Sequence, residues 1–201
     1  MNNPVLYQLA FVILLIAVRV ARLPSRQHTA WGANWPVMKQ HPVDTLLLIA
    51  VSLLWLAALI LFLVTPSSIQ RFNLPIPAWL RWCGFAAGLA AAGLLNWSDR
   101  SLGANLSATL QIKPDHTLVT SGPYRWIRHP IYAAGLLFAI AMGLMAANYL
   151  LAGLFVIPMI LLAGTRMGQE ERLMRDRFGR EYEHYMQRTG RLLPRWTGDR
   201  S

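Results

Sequence analysis

Two polar stretches carry residue types able to do chemistry: HTLVTSGPYRWIRHPIYAAG, residues 116–135, and RMGQEERLMRDRFGREYEHY, residues 166–185. Between them lie Arg128, His129, Arg166, Glu170, Glu171 and several tyrosines. An imidazole or carboxylate can move a proton. A carboxylate beside tyrosine rings can hold a cation, and guanidinium groups can hold an anion. The surrounding sequence is apolar, so these groups sit at a membrane boundary, where ionisable side chains are costly to keep and are read first as functional.

The elements that must position them follow from composition. Of 201 residues, 55% are hydrophobic and only 14% charged, yet the net charge is +10. Uncharged runs near the length needed to cross hydrocarbon occur at 5–18, 46–64, 82–95, 131–147 and 150–163, the last containing Pro158. The reading is an all-α polytopic membrane protein of about five transmembrane helices, with a cofactor pocket on the cytoplasmic side of its C-terminal half. It forms a single membrane domain, residues 1–201, divided into apolar N-terminal spans (1–95) and a catalytic half (96–201). The first run reads as a span and not as a cleaved signal, because its basic residues Arg19 and Arg22 follow it.

Five spans place segments 19–41, 98–129 and 166–201 on one side. They hold seventeen of the nineteen Lys and Arg residues, with Arg71 and Arg81 elsewhere. Basic loops favour the cytoplasm, so the N-terminus is expected outside and the C-terminus and active site inside. The charge suits anionic lipid headgroups, and no nucleic-acid motif accompanies it. Cys83 is the single cysteine, which excludes an intramolecular disulfide; it reads as inert packing within a span. Gly84 and Gly88 form a small-xxx-small pair suited to close helix approach, within the chain in preference to between copies. His28, Trp31, Trp35 and His41 in the second loop are too irregularly spaced to suggest a metal, and none is expected.

Residues 96–111 read as leaving the third span. The turn at Pro114-Asp115 leads into an extended stretch, 117–120, and then Ser121-Gly122-Pro123. Pro130 is suited to the first turn of a helix, which sets Arg128 and His129 at the mouth of the fourth span. Asn148 and Tyr149 make a tight turn, so the fourth and fifth spans form an antiparallel hairpin. Their cytoplasmic ends are thereby adjacent, bringing Arg166, Glu170 and Glu171 toward Arg128, His129 and Tyr132. Such a cluster can take a water-soluble cofactor from the cytoplasm and an apolar substrate from the bilayer. Taken singly, Arg166 and Glu170 would also fit an ordinary surface pair, and Tyr124, Trp126 and Tyr132 interfacial anchors. The tract 170–188 reads as an amphipathic helix on the membrane surface, broken near Gly179, and equally as a lid with 191–194 folding back over the pocket.

The order HTLVTSG, Tyr124, RHPIY, helical hairpin, Arg166 with EE, FG, two tyrosines and RLLP resembles the isoprenylcysteine carboxyl methyltransferase family, over roughly residues 96–194. It is similar also to the wider group of small membrane methyltransferases that includes phospholipid N-methyltransferases. The resemblance implies S-adenosylmethionine as methyl donor, without a Rossmann fold, and no glycine-rich nucleotide fingerprint is present. It implies cofactor contacts at Gln111, His116, Thr117, Leu118, Val119, Tyr124, His129, Pro130, Ile131 and Tyr132. Arg166 and Glu170 would face the methyl acceptor, with His129 or Glu170 as base for an acceptor that must lose a proton. The phospholipid-methyltransferase relatives would instead give Glu170 and Glu171 to the cofactor. The implied acceptor is lipophilic: a prenylated cysteine carboxylate, or a lipid amine, thiol or phenol. An NADPH-dependent reductase of the sterol-reductase type, which shares the GPY and RHP pattern, and a non-catalytic membrane protein are the competing readings.

Overall fold

A computed structural model describes residues 4–22, 42–64, 66–105 and 117–195. Its α-helices are α1 (Pro4–Ala21), α2 (Pro42–Val64), α3 (Ala78–Leu102), α4 (Pro130–Ala146), α5 (Tyr149–Phe178) and α6 (Arg180–Arg188), with short 3-10 turns at Pro66–Phe72, Gly103–Asn105 and Gly122–Arg125. The described residues contain two isolated β-bridges and no extended strand. α1, α2, α3 and α5 are long and apolar enough to cross a membrane. α4 has 17 residues, about 25 Å of helix, and is a shorter apolar helix. The protein is thus an all-α, polytopic membrane protein.

Helices with no polar face can stay ordered only if one side packs on protein and the other meets lipid. α3 packs on α4 and α1, α4 on α5, and α5 on α2. Phe11, Leu14, Met142, Met145, Leu151 and Phe155 fill the centre, while Leu46, Leu53 and Ile60 of α2 face outward. Small residues set the close crossings: a Cβ on Gly84 would lie 2.8 Å from Leu144 Cβ, and one on Gly88 2.7 Å from Leu14 Cδ1. The glycine pair therefore serves internal packing against α4 and α1. Cys83, expected to be packed, faces outward. The 3.6-residue period that aims Gly84 and Gly88 inward turns their neighbour away.

Two expected boundaries shift. α3 does not end near Leu95 but runs through Leu102, and α5 continues without interruption past Pro158 to Phe178. Residues 170–178 are therefore the last turns of a 30-residue helix, not a separate surface helix. Of the described helices, only α6 lies beyond the break at Gly179, whose φ of +52° suits glycine.

The end of the bundle remote from the N-terminus of α4 is fastened by two polar side chains. Arg81 donates from Nε (3.0 Å) and Nη2 (2.6 Å) to the Met145 carbonyl and lies 3.4 Å over the Tyr7 ring. Asn148, buried, accepts from the Leu151 amide and donates to the Ile69 carbonyl and to Asn73 Oδ1. The first satisfies a carbonyl at the C-terminus of α4 and the second caps α5.

Candidate active site

α4 begins at Pro130, and the amides before it belong to neither helix nor strand. Arg128 N–H donates to the Gly190 carbonyl (2.8 Å) and His129 N–H to the Arg191 carbonyl (3.1 Å), while Gly190 N–H returns to the Trp126 carbonyl (3.0 Å). The segment after α6 therefore folds back alongside 126–129. Only glycine fits at 190, because a Cβ there would lie 1.7 Å from the Leu193 carbonyl oxygen.

Side chains converge on this backbone pairing. Arg128 Nε donates to Glu171 Oε1 (3.2 Å), and its Nη1 donates to the Met186 (3.1 Å) and Thr189 (2.5 Å) carbonyls. His129 Nε2 is 3.1 Å from Glu171 Oε1, and its Nδ1 is 3.5 Å from Glu170 Oε2. Tyr132 Oη, one turn into α4, donates to Glu170 Oε1. Arg191 Nε donates to Glu171 Oε1 at 3.1 Å. Glu171 is buried among these cations, whereas the Glu170 side chain is 33% exposed. Removing one partner from such a desolvated group costs about 3–5 kcal/mol, because the remaining charges stay out of water.

Both His129 nitrogens face carboxylates, and only the imidazolium can donate to both. Burial alone would push its pKa down; hydrogen bonds and charge from Glu170 and Glu171 outweigh that and raise it above 6.5. Held toward its charged form, His129 is better suited to donating than to removing a proton. Behind it, burial pushes the Tyr124 and Tyr185 hydroxyls upward and that of Tyr182 to about 12. All three stay neutral. Tyr185 Oη donates to the Tyr124 carbonyl (2.7 Å), tying α6 to the Gly122–Arg125 turn.

The hairpin thus brings His129, Tyr132, Glu170 and Glu171 together as the sequence suggests. Arg166, one turn before Glu170, is 7% exposed, which excludes an ordinary surface ion pair. Tyr124 and Pro130 are buried and Ile131 half-buried at the same end. Leu118 and Val119 are half-buried and Thr117 exposed; the Thr117 amide and hydroxyl are engaged by the Asn105 side chain at 3.2 and 3.1 Å. Gln111, His116 and the second-loop residues His28, Trp31, Trp35 and His41 lie outside the described residues. Two contributors went unread in the sequence. Arg191 was placed only within a generic lid. Asp99, 1% exposed, pairs with Arg22 at 2.9 Å and joins the ends of α3 and α1; its visible signal is a lone carboxylate at the end of an apolar run.

A groove of about 560 Å³ runs between α2 and α5, lined by Leu47, Leu54, Leu154, Ile157, Leu161 and Leu162 among others. It reaches Leu162, one helical turn before Arg166.

Residues 85–176 match the model of the isoprenylcysteine carboxyl methyltransferase (ICMT) family. A probable protein-S-isoprenylcysteine O-methyltransferase of Oryza sativa subsp. indica is 35% identical over 85 residues, which are 42% of this chain and 44% of that protein. An uncharacterized Bacillus subtilis protein, YpbQ, is 28% identical over 119 residues, 59% of this chain and 70% of the other. The chain spans less than half the length of the rice relative. The solved structure of a eukaryotic intramembrane Ras methyltransferase, ICMT, superimposes with a TM-score of 0.55 at 23% identity, covering 76% of this chain and 52% of that one, a likeness of fold. The stretch that supplies Tyr124, Arg128, His129, Tyr132, Arg166 and both glutamates thus lies within the residues that match the isoprenylcysteine carboxyl methyltransferase family model.

Proposed function

We propose that this chain is an integral membrane methyltransferase that takes its methyl group from S-adenosylmethionine and gives it to a lipophilic acceptor, a prenylcysteine-like carboxylate being the favoured class. The observation that carries the reading is the knot at the mouth of α4: His129 between Glu170 and Glu171, with Tyr132 on Glu170, inside the family region. When bound, the cofactor supplies a sulfonium-activated methyl group. The residues present fit it: Glu170 is a half-open carboxylate that can face a cation, and Tyr124 and Tyr132 add aromatic surface, an attraction of about 1 kcal/mol in a dry site.

Thr117, Leu118, Val119, Tyr124, His129, Pro130, Ile131 and Tyr132 are the proposed cofactor wall, continued by Gln111 and His116. Arg166 and Glu170 orient the acceptor: the guanidinium holds an anionic group and Glu170 fixes the opposite side. His129 holds its proton and so steadies the two glutamates. A carboxylate acceptor needs no base, which agrees with an imidazole kept charged; an amine or thiol acceptor would have to use Glu170. Rate enhancement then rests on alignment and water exclusion by buried Arg166, Tyr124 and the docked 190–191 segment. The groove between α2 and α5, ending a turn from Arg166, is suited to the acceptor's hydrocarbon. The whole chain acts as one membrane domain, with the N-terminus outside and the knot on the cytoplasmic face, where basic loops collect.

Purified protein in detergent, given methyl-labelled adenosylmethionine and a farnesylated cysteine, should yield base-labile methyl ester. Label moving only into amine or thiol lipids would replace the acceptor class. No retention of the labelled donor, with NADPH retained instead, would overturn the reading.

A further inference from the structure

Of the two adjacent glutamates, one is shut in and the other, Glu170, stands partly open. Glu171 is 6% exposed, and its Oε1 alone meets Arg128 Nε (3.2 Å), His129 Nε2 (3.1 Å) and Arg191 Nε (3.1 Å). These three cations come from two segments more than sixty residues apart in sequence. The same two segments are joined by the backbone bonds of Arg128, His129 and Gly190. Arg128 strengthens the junction by donating to the Met186 and Thr189 carbonyls at the end of α6. With three internal donors crowded on one oxygen and the residue buried, Glu171 is poorly placed to meet an outside cation.

We infer that Glu171 is a positioning residue, a latch that holds the chain after α6 against residues 126–129 and so fixes the His129 ring for Glu170, and that it does not contact the cofactor. Arg191 is the outer half of this latch, since its side chain is 46% exposed. The latch as a shaper of the cofactor pocket rests on the methyltransferase reading; the latch as a contact does not. Glu170 is then the single carboxylate of the pair that meets ligand. Adjacent helical positions point about 100° apart, so one residue can serve the tail while its neighbour serves the pocket.

The test uses the full chain in detergent and two measurements. Hydrogen exchange at the Arg128 and Gly190 amides should quicken about tenfold or more in Glu171→Gln and less in Arg191→Ala, recover in part in Glu171→Asp, and stay unchanged in Glu170→Gln. Binding of S-adenosylhomocysteine should weaken about tenfold in Glu171→Gln, and the double variant Glu171→Gln with Arg191→Ala should bind no more weakly than Glu171→Gln alone, because both act through one junction. Exchange within twofold of the parent in Glu171→Gln, or losses that multiply in the double variant, would overturn the latch. If the parent binds no S-adenosylhomocysteine, the proposed function fails, while the exchange measurement still decides the latch.

Discussion

Each end of the helical bundle holds a half-buried arginine, and the two are treated differently. Arg81 at the far end meets only a carbonyl and an aromatic ring, Met145 O and Tyr7, and Asn148 nearby spends its amide on Ile69, Asn73 and Leu151. Those partners are uncharged, so among the described residues these contacts fasten helices and gather no carboxylate. At the near end Arg128 meets a carboxylate, which also gathers His129 and Arg191, and a second carboxylate stands half-open beside it. The lesson is that polarity at a membrane boundary does not by itself mark function. What separates a fastening from a site is a charged group with unspent capacity.

The comparison can be broken most sharply at Glu170. Its replacement by Gln should lower methyl transfer by at least about a hundredfold while the protein still inserts and folds; near-parent turnover would make the near end another fastening. At the far end Asn148→Ala should do the opposite, destabilising by about 1–3 kcal/mol through the unsatisfied Ile69 carbonyl and Leu151 amide. Specific activity per folded molecule should be unchanged, as read by thermal unfolding alongside turnover. Arg81→Ala should act in the same direction but less, on the order of 1–2 kcal/mol, since its partners are one carbonyl and one ring.

The smallest effect is on pH dependence. The His129 pKa lies above its unfolded value near 6.5, so its contribution to stability is complete below about pH 6.5 and fades as pH rises through the raised folded value. Unfolding midpoints from pH 6 to 9 should fall more steeply for the parent than for His129→Asn. An equal slope in both would show that the imidazole is not held by the two glutamates.

Much of this was legible in the residues. The apolar runs announced the helices, because in hydrocarbon a helix alone satisfies its own backbone. The short Asn148-Tyr149 turn announced the hairpin, and with it the meeting of His129 and Tyr132 with Glu170 and Glu171. Helix ends were less legible: residues 96–102 and 170–178 are polar enough to read as loop or surface helix, yet they extend α3 and α5 because hydrogen-bond propagation continues outward from a well-packed apolar stem. Cys83 and its glycine neighbours show the limit of reading position without rotation.

The sequence by itself determined that this is a helical membrane protein with its ionisable residues gathered at one boundary, since hydropathy and charge are properties of residues irrespective of their neighbours. Only the tertiary structure decided how those residues divide their work. Glu170 and Glu171 are identical in type and adjacent in the chain. The helical rotation between them, and the return of Gly190 and Arg191 from beyond α6, sends one into a web of cations and leaves the other half-open. A carboxylate's role follows from which donors reach it first, and that is a property of packing.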